Sequence, residues 1–312
     1  MTSNFLKGFA LLVLALAATP ASAAALYSNE MASASGWGFN AFGSAASAGD
    51  YAVTFGYDYS ADFIPEAPNS QVGDTATSGV KLEANLAGGA ASGFTLYPTG
   101  QSFSGNYQLR FDVWMNYDAD ERINGGSAGT TEFIGGGIGY DNASADIGAG
   151  AQIIATGDGG SGSDWRAFAD GTFLAATEYV AGDRNGFNPH YSNFLPGVSP
   201  PAGQFQVDDP AGVAGSPGFQ WVTFEVNTNN GLSTVVLEKP NGDRRTVIVI
   251  DEPYTSDGNI GLYYADLFSS VTSRPDLTFG LIDNVVVSAI PEPTAGLLLA
   301  VAGCLAGLRR RV

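Results

Sequence analysis

The sequence is poor in cysteine, histidine and charged side chains. Its 312 residues include one Cys and one His, and only 14% are charged, against about 25% in an average soluble domain. A single Cys excludes an intrachain disulfide and every cysteine-based zinc or iron–sulfur cage. The single His, His190, excludes multi-histidine metal sites and is the one candidate for any imidazole-dependent catalysis.

Positive charge is especially scarce. The chain has 13 Lys and Arg against 31 Asp and Glu, a net charge of −18, which repels phosphate backbones and argues against nucleic-acid binding. Four of the basic residues, but only one acidic residue, Glu292, lie at the two ends of the chain. Residues 24–290 therefore carry nine basic and 30 acidic residues, a net charge of −21.

The N-terminal residues have the pattern of a secretory signal peptide. Lys7 precedes an apolar run over residues 9–18, and small residues that include Ala21 and Ala23 follow. A basic region, a short apolar core and an A-x-A cleavage site in this order are typical of such peptides. We predict that the secretion machinery removes residues 1–23 and that the remainder is exported. The alternative is a buried N-terminal helix.

The C-terminal residues contain a second apolar run, over residues 294–308, between a Pro-Glu-Pro motif and an arginine cluster. This run is short for a bilayer, which needs about 20 apolar residues. Arginines that follow an apolar helix stay on the cytoplasmic side, which predicts a short transmembrane helix with the main domain outside. An ordinary tail anchor is the alternative. The flanking residues are Pro291, Glu292, Pro293, Arg309, Arg310 and Arg311.

The order of these C-terminal features resembles the PEP-CTERM sorting signal of Gram-negative and related bacteria. In that family an exosortase in the inner membrane processes the tail during delivery to the surface. The resemblance covers residues 290–312. It implies an exosortase partner, transient anchoring in the inner membrane, and a final location at the cell surface or outside the cell.

Between these ends, residues 24–289 show the alternation of β-strands rather than helical periodicity. In the clearest case, residues 107–117, apolar side chains occupy one face and polar side chains the other. The other predicted strands cover residues 51–57, 80–86, 93–97, 131–140, 150–155, 172–179, 221–227, 232–238, 245–250, 259–265 and 279–287. More than ten short predicted strands with Gly-rich turns indicate an all-β, antiparallel β-sandwich of jelly-roll type. Residues 181–219 are rich in Gly and Pro and predict a long surface loop over one face or edge.

Three stretches resemble jelly-roll carbohydrate-binding modules and concanavalin-like lectin domains: residues 105–117, 258–266 and 279–287. In that family a last strand with an Ile-Asp-Asn-Val pattern runs beside the N-terminal strand. In several such modules its Asp shares a structural calcium ion with an N-terminal acid. The resemblance implies Ca²⁺ at Glu30 and Asp283, with Asp266 as a further candidate. The alternative is that these acids are solvated or cap turns.

One face of the strand at 107–117 combines an aromatic ring with polar groups. Arg110, Asp112, Trp114 and Asn116 share this face. Lectin-like sandwiches bind glycans by stacking aromatic rings on sugars while polar neighbours bind the hydroxyls. These residues therefore predict a polysaccharide-binding surface. The alternative is that Trp114 lies in a second core layer or under the 181–219 loop.

Catalytic motifs are weak. Residues 125–129 match G-x-S-x-G, but a turn and a strand flank them instead of the strand and helix of a nucleophile elbow. The paired carboxylates of retaining sandwich glucanases, at i and i+4 on one strand, are missing. We predict no catalytic residue and a non-catalytic protein of the cell envelope or extracellular matrix that contacts polysaccharide. The alternatives are a secreted hydrolase or lyase with paired carboxylates, and a purely structural surface protein.

Overall fold

The computed structural model describes most of the chain between the predicted signal peptide and the predicted sorting tail. The predicted signal peptide, the tail after Pro291 and the G-x-S-x-G match lie outside the described residues. The described residues are 24–70, 77–87, 89–124, 132–146, 148–268 and 271–291.

The described residues form fifteen β-strands. In chain order these are β1 (Ala25–Asn29), β2 (Trp37–Phe42), β3 (Tyr51–Asp58), β4 (Ser78–Ala84), β5 (Ser92–Pro98), β6 (Tyr107–Asn116), β7 (Glu132–Tyr140), β8 (Ala151–Thr156), β9 (Trp165–Ala169), β10 (Thr172–Phe173), β11 (Val222–Asn229), β12 (Leu232–Glu238), β13 (Arg244–Ile250), β14 (Asn259–Asp266) and β15 (Phe279–Ala289).

The strands pair antiparallel in two sheets. Sheet I has the order β13-β12-β11-β6-β15-β4-β3, and β1 also pairs with β15. Sheet II has the order β10-β9-β8-β7-β14-β5-β2. The inner faces of both sheets supply one shared hydrophobic core. The predicted antiparallel β-sandwich is confirmed.

Helices are few and short within the described residues. None of them is both long enough and apolar enough to span a membrane. The α-helices are α1 (Gly43–Ala48), α2 (Ala119–Asn124), α3 (Pro189–Ser192) and α4 (Pro210–Val213), and single 3₁₀ turns cover Tyr59–Asp62, Ala176–Glu178, Ala202–Gln204 and Pro275–Leu277.

Strand β6 shows how the sequence pattern places side chains, because successive residues of a strand point to opposite faces. Its odd-numbered residues enter the core, where Phe111 packs 5.7 Å from the ring of Phe224. Its even-numbered residues lie on the outer face of sheet I. The prediction that Tyr117 joins the core face is wrong: the strand ends at Asn116, and Tyr117 stacks outside on Phe219 at 4.6 Å.

Strand β15 lies in the middle of sheet I. One side pairs with β6, and the other side is shared by β4 and β1. The pairing of this last strand with the first strand is the one that the lectin-like resemblance implies. A bulge follows Asp283, where Asn284 has a φ of 53°. The bulge lets β15 bend without losing its partners.

Residues 181–219 are more than a surface loop. A bridge between Tyr179 and Ile248 joins the chain just before this segment to edge strand β13. Within the segment, Tyr191 is fully buried and stacks on Trp165 at 5.5 Å. The beginning of the segment therefore closes the open edge of the sandwich, which protects strand edges from pairing with other chains.

Candidate functional site

Two segments cover part of the outer face of sheet I. One follows β3 and the other precedes β11, and together with the sheet they form a second, smaller hydrophobic cluster. Its buried members are Tyr59, Ile64, Ala67, Trp114, Tyr117, Ala119, Val213, Phe219, Trp221, Phe279 and Leu281. The strand face that the sequence predicts to contact sugars is therefore largely a second core layer.

Asp112 anchors the first of these segments to the sheet. Asn69 donates from its backbone N–H to Oδ2 (3.1 Å) and from Nδ2 to Oδ1 (2.6 Å). The Thr223 hydroxyl and the Asn284 amide donate to the same carboxylate at 2.6 and 2.8 Å. Burial raises the pKa of Asp112, and these hydrogen bonds oppose the rise. Asp112 is 0% exposed, so none of its atoms is available to a sugar.

Asp283 anchors the same segment from the neighbouring strand. It faces Asp112 in the β6–β15 pairing and is also 0% exposed. The Tyr59 hydroxyl donates to its Oδ2 at 3.0 Å, and the Asn284 N–H donates to its Oδ1 at 2.8 Å. Tyr59 in turn accepts the backbone N–H of Ala67. The two aspartates thus hold the segment that follows β3, which forms one wall of a cleft.

The covering segments leave an open cleft between them. Its volume is about 580 Å³, within the range of roughly 300–1,000 Å³ for small-molecule sites. Aromatic and proline side chains dominate the lining, and Glu66 is the one carboxylate among the described lining residues. The lining residues are Phe63, Pro65, Glu66, Trp114, Ser199, Pro201, Phe219, Gln220, Trp221 and Pro240.

Two tryptophans form the floor of the cleft. Trp114 comes from β6, and Trp221 immediately precedes β11, which pairs with β6. Their rings lie 5.7 Å apart, and they are only 3% and 4% exposed. The Trp221 indole donates to the carbonyl oxygen of Pro65 at 2.7 Å, which ties the floor to the wall.

Phenylalanine forms the exposed rim of the cleft. Phe63 is 61% exposed, and Gly203 packs so closely against its ring that a side chain at position 203 would overlap it. Phe63 and Phe219 have φ values of 62° and 54°. This left-handed conformation is unfavourable for residues other than glycine, and strained residues concentrate at functional sites.

The remaining members of the predicted sugar-binding face lie away from the cleft lining. Asn116 is fully buried and donates to the carbonyl oxygen of Leu277 at 2.7 Å. Arg110 is partly exposed and pairs with Glu238 at 3.2 Å and with Glu225 at 3.8 Å. Of the four predicted residues, only Trp114 reaches the cleft. Strand neighbours and covering segments bind the polar groups of Asp112 and Asn116, whereas Arg110 is ion-paired with two glutamates.

Asp266 lies apart from the other two predicted calcium ligands. Asp266 lies on β14 in sheet II, whereas Asp283 lies on β15 in sheet I, and Glu30 follows β1. Asp266 accepts from the Asn85 amide at 2.7 Å and from the Phe268 N–H at 2.8 Å. Calcium prefers six to eight oxygen ligands, so a site at Glu30 and Asp283 would need further oxygens. Calcium there stays a prediction.

Within the described residues, one group of three acids could reach a common metal ion: Glu178, Asp251 and Glu252, whose ligand atoms all lie within 4.8 Å of one another. Two of these side chains are exposed, and acids so placed are commonly solvated. The sequence analysis did not identify this group, because Glu178 is far from the other two along the chain.

Asp266 belongs instead to a buried acidic pair. It faces Glu132 in the β7–β14 pairing, on the inner side of sheet II. Glu132 is 3% exposed, and its Oε2 has no hydrogen-bond partner. Burial and the nearby Asp266 raise the pKa of Glu132 well above its usual value. The Tyr264 hydroxyl close by is also buried without a partner, and burial and both acids raise its pKa.

The structure places His190 in a structural contact. Its Nε2 lies 2.8 Å from the carbonyl oxygen of Thr246 on β13, and its ring packs edge-on against Tyr191. A general base needs a proton to abstract within hydrogen-bond reach. This nitrogen is instead engaged with the backbone of the closed sandwich edge.

Comparisons with known proteins find similarity in architecture only. No family model and no curated protein matches the chain. Among solved structures, the lumenal domain of VIP36 in its Ca²⁺-bound form shares 9% identity over 82% of this chain and 84% of that chain, with a TM-score of 0.42. A legume lectin-like domain from Entamoeba histolytica shares 8% sequence identity over 78% of this chain and 91% of that chain, with a TM-score of 0.39. Peanut lectin shares 12% sequence identity over 85% of this chain and 97% of that chain, with a TM-score of 0.39.

These neighbours are lectin-like β-sandwiches, and the calcium named for VIP36 is a property of that protein. The fold of the present chain is established by its own strand pairing.

Sequence reasoning missed most of the cleft. Trp221 could have been found, because the polar faces of the two amphipathic strands at 107–117 and 221–227 each carry one tryptophan. Pairing these strands would have placed the two rings together. Phe63, Glu66 and Gln220 lie in irregular segments, where no periodic pattern indicates which way a side chain points.

Proposed function

We propose that the chain is an exported, surface-sorted, non-catalytic β-sandwich protein that contacts polysaccharide through the cleft above Trp114 and Trp221. The aromatic lining of this cleft carries the proposal. Apolar faces of sugar rings pack on aromatic side chains, and such rings contribute much of the contact energy in binding sites. Phe63 is the most exposed ring of the lining and is the expected stacking platform.

Polar groups at the cleft suit sugar hydroxyls. Glu66 offers carboxylate oxygens, and Ser199 offers a hydroxyl. Gln220 donates from Nε2 to the carbonyl oxygens of Pro196 and Ser216 at 3.2 and 3.1 Å, which orients its amide oxygen. A mainly apolar site with a few fixed polar groups is the usual form of a small-molecule site.

The cleft argues against the enzymatic alternative. Glycoside hydrolysis normally needs two carboxyl groups across the scissile bond, about 5 to 10 Å apart. Glu66 is the one carboxylate among the described residues of the lining, so this cleft supplies only half of such a pair. Incubation of the protein with a bound polysaccharide should therefore release no reducing ends, and their release would favour the hydrolase.

A glycan array with the full chain tests the binding proposal, and Phe63→Ala is the informative variant. We expect about a tenfold loss of affinity, equivalent to ~1.4 kcal/mol, because the exposed platform is removed without opening the core. Trp114→Ala is less informative, since truncating a buried Trp costs about 3–5 kcal/mol of stability by itself.

Phe205→Ala is the matched control. Phe205 is 90% exposed and has a φ of 54°, close to that of Phe63, but it does not line the cleft. Equal glycan binding by the two variants would contradict the proposed site. A wild-type chain that binds no glycan would favour a purely structural role.

Export and sorting rest on the terminal sequences and have a separate test. Mass spectrometry of the surface form should show the loss of residues 1–23 and of the segment after Pro293. An intact C-terminal segment in the inner membrane would contradict exosortase processing.

A further inference from the structure

Most basic residues of this acidic domain are ion-paired, but three arginines are not. Within the described residues, Arg166, Arg184 and Arg245 form no salt bridge, although residues 24–290 contain 30 acidic residues. The six paired residues are Lys81, Arg110, Arg122, Lys239, Arg244 and Arg274. Two of the three unpaired arginines lie together.

Arg166 and Arg184 share one cluster of aromatic rings on the outer face of sheet II. The guanidinium carbon of Arg166 lies 4.4 Å from the ring centre of Phe133 and 5.8 Å from that of Phe173. The guanidinium carbon of Arg184 lies 4.3 Å from the ring centre of Phe173. Phe173 and Phe268 are 41% and 50% exposed, and Phe268 lies 5.9 Å from Arg166.

The two positive charges destabilise each other. Burial lowers the pKa of Arg166, and the charge of Arg184 lowers it further. Arg166 donates from Nε to the carbonyl oxygen of Ser163, and Arg184 donates from Nη1 to that of Leu174. The Nε of Arg184 is buried and has no acceptor. Most of the donors of both guanidinium groups are thus not used by the described residues.

Two acids that interact electrostatically with these arginines, Asp164 and Asp183, accept hydrogen bonds from the backbone. Asp164 accepts the N–H groups of Gly160, Ser161 and Gly186 at 2.7 to 3.1 Å. Asp183 accepts those of Arg184 and Asn185 at 2.7 and 3.1 Å. Neither forms an ion pair with the two arginines.

We propose that Arg166 and Arg184 form a second binding site, separate from the cleft, for a carboxylate-bearing sugar such as a uronate. A guanidinium fork matches a planar carboxylate through two parallel hydrogen bonds. The exposed rings of Phe173 and Phe268 provide apolar surface beside the charge, on which a sugar ring packs. The stacking of both guanidinium groups on aromatic rings fixes their orientation before binding, which reduces the entropy lost on binding.

Affinity electrophoresis of the full chain tests this proposal at about 0.15 M salt, where the Debye length is about 8 Å and the net negative charge is largely screened. The probes are polygalacturonate and its fully methyl-esterified form, which keeps the sugar backbone but lacks the charge. We expect retardation by polygalacturonate and at least tenfold weaker retardation by the ester. Arg166→Gln and Arg184→Gln should each reduce polygalacturonate binding about tenfold.

Arg245→Gln is the matched control, because Arg245 also stacks on an aromatic ring, Phe194, without a salt bridge. It should bind polygalacturonate like the wild type. Arg166→Lys keeps the charge but lacks the fork, and should restore binding only in part. Thermal melting of each variant separates lost binding from lost folding. Phe205→Ala, at an exposed ring outside both sites, should also leave polygalacturonate binding unchanged. The comparison with the methyl ester separates the two proposals, because binding in the cleft does not require a carboxylate on the sugar.

The proposal would be overturned if polygalacturonate did not retard the wild type, or if the methyl ester retarded it equally. It would also be overturned if Arg245→Gln lost as much polygalacturonate binding as Arg166→Gln, or if folded Arg166→Gln bound polygalacturonate like the wild type. Dextran sulfate tests the class of anion. Retardation by dextran sulfate as strong as by polygalacturonate would overturn the carboxylate assignment in favour of sulfate or of charge alone.

Discussion

Two pairs of buried carboxyl groups face each other across neighbouring strands, and their surroundings differ. The outer pair, Asp112 and Asp283, accepts hydrogen bonds from side chains and backbone of the segment that walls the cleft. The inner pair, Glu132 and Asp266, lies on the core side of sheet II, where one oxygen of Glu132 has no donor. Burying a charged group is costly unless hydrogen bonds or a counter-ion compensate.

Pairs of buried carboxyl groups that look alike in the strand pairing therefore have different structural roles. The outer pair organises the cleft, because its oxygens hold the covering segment in place. In the inner pair one oxygen of Glu132 has no donor, and burial and the nearby Asp266 raise the pKa of Glu132, which favours its protonated form.

The largest effect is expected for Asp112→Ala. This change removes an acceptor for four hydrogen bonds and leaves the donors of Thr223 and Asn284 buried without it, so the free energy of unfolding should fall by about 3 kcal/mol. Urea unfolding followed by tryptophan fluorescence measures the loss. Asp243→Ala, at a turn position with a 61% exposed side chain, is the control and should cost less than about 0.5 kcal/mol. Similar losses in both variants would contradict the anchoring role.

Calcium removal tests whether hydrogen bonds alone compensate the burial of Asp112 and Asp283, or whether a bound Ca²⁺ ion contributes. If Ca²⁺ binds at Glu30 and Asp283, calcium at a hundred times its dissociation constant adds about 2.7 kcal/mol to the stability. The melting temperature should then fall on addition of a chelator, and Asp283→Asn should abolish this sensitivity. A melting temperature that does not respond to the chelator would contradict the calcium prediction.

Glu132→Gln should stabilise the protein at neutral and alkaline pH, by about 1 kcal/mol, because it removes a buried ionisable group of which one oxygen has no hydrogen-bond donor. The folded state of the wild type binds more protons than the unfolded state between the usual pKa of 4.5 and the raised value. The free energy of unfolding therefore falls as the pH rises through this interval.

Urea unfolding of the wild type and of Glu132→Gln from pH 4 to pH 9 measures this dependence. The two stabilities should approach each other at the acidic end and separate as the pH rises. Parallel curves would show that Glu132 does not titrate in the folded protein.

The smallest effect is expected for Tyr59→Phe. The change removes the hydroxyl that donates to Asp283 and accepts from Ala67, at a cost of about 0.5–1 kcal/mol. Glycan binding in the cleft should weaken, because the wall loses one of its anchors. Tyr57→Phe, whose hydroxyl bonds to Asp62, is the matched control. An unchanged stability and affinity in Tyr59→Phe would contradict its anchoring role.

The sequence predicted the strands well where one face is apolar and the other polar. Strands β6, β11 and β12 lie within two residues of their predicted bounds, since alternation records directly which face is buried. The predicted strand at 172–179 is wrong beyond Phe173, because a 3₁₀ turn at Ala176–Glu178 follows. Strands β2 and β9 were missed because each is short and lies beside Gly- or Ser-rich residues.

The candidate site was predictable only in part. Trp114 was correctly placed on the outer face, but nothing local in the sequence shows that residues 59–70 cover that face. The bond between Asn69 and Asp112 joins residues 43 positions apart, and that between Tyr59 and Asp283 joins residues 224 apart. Contacts at such separations depend on the completed topology rather than on local pattern. The polar residues predicted to meet a ligand therefore meet the protein itself.

The central position of β15 has a consequence for the order of assembly. Before residues 279–289 are in place, sheet I consists of two unconnected parts, one ending at β6 and the other at β4. An exported chain that crosses the membrane N-terminus first delivers this strand last. The sandwich can then close only when almost the whole domain has been translocated. The predicted sorting motif begins two residues after β15, so in a chain exported as proposed, completion of the fold and presentation of the tail would be nearly simultaneous.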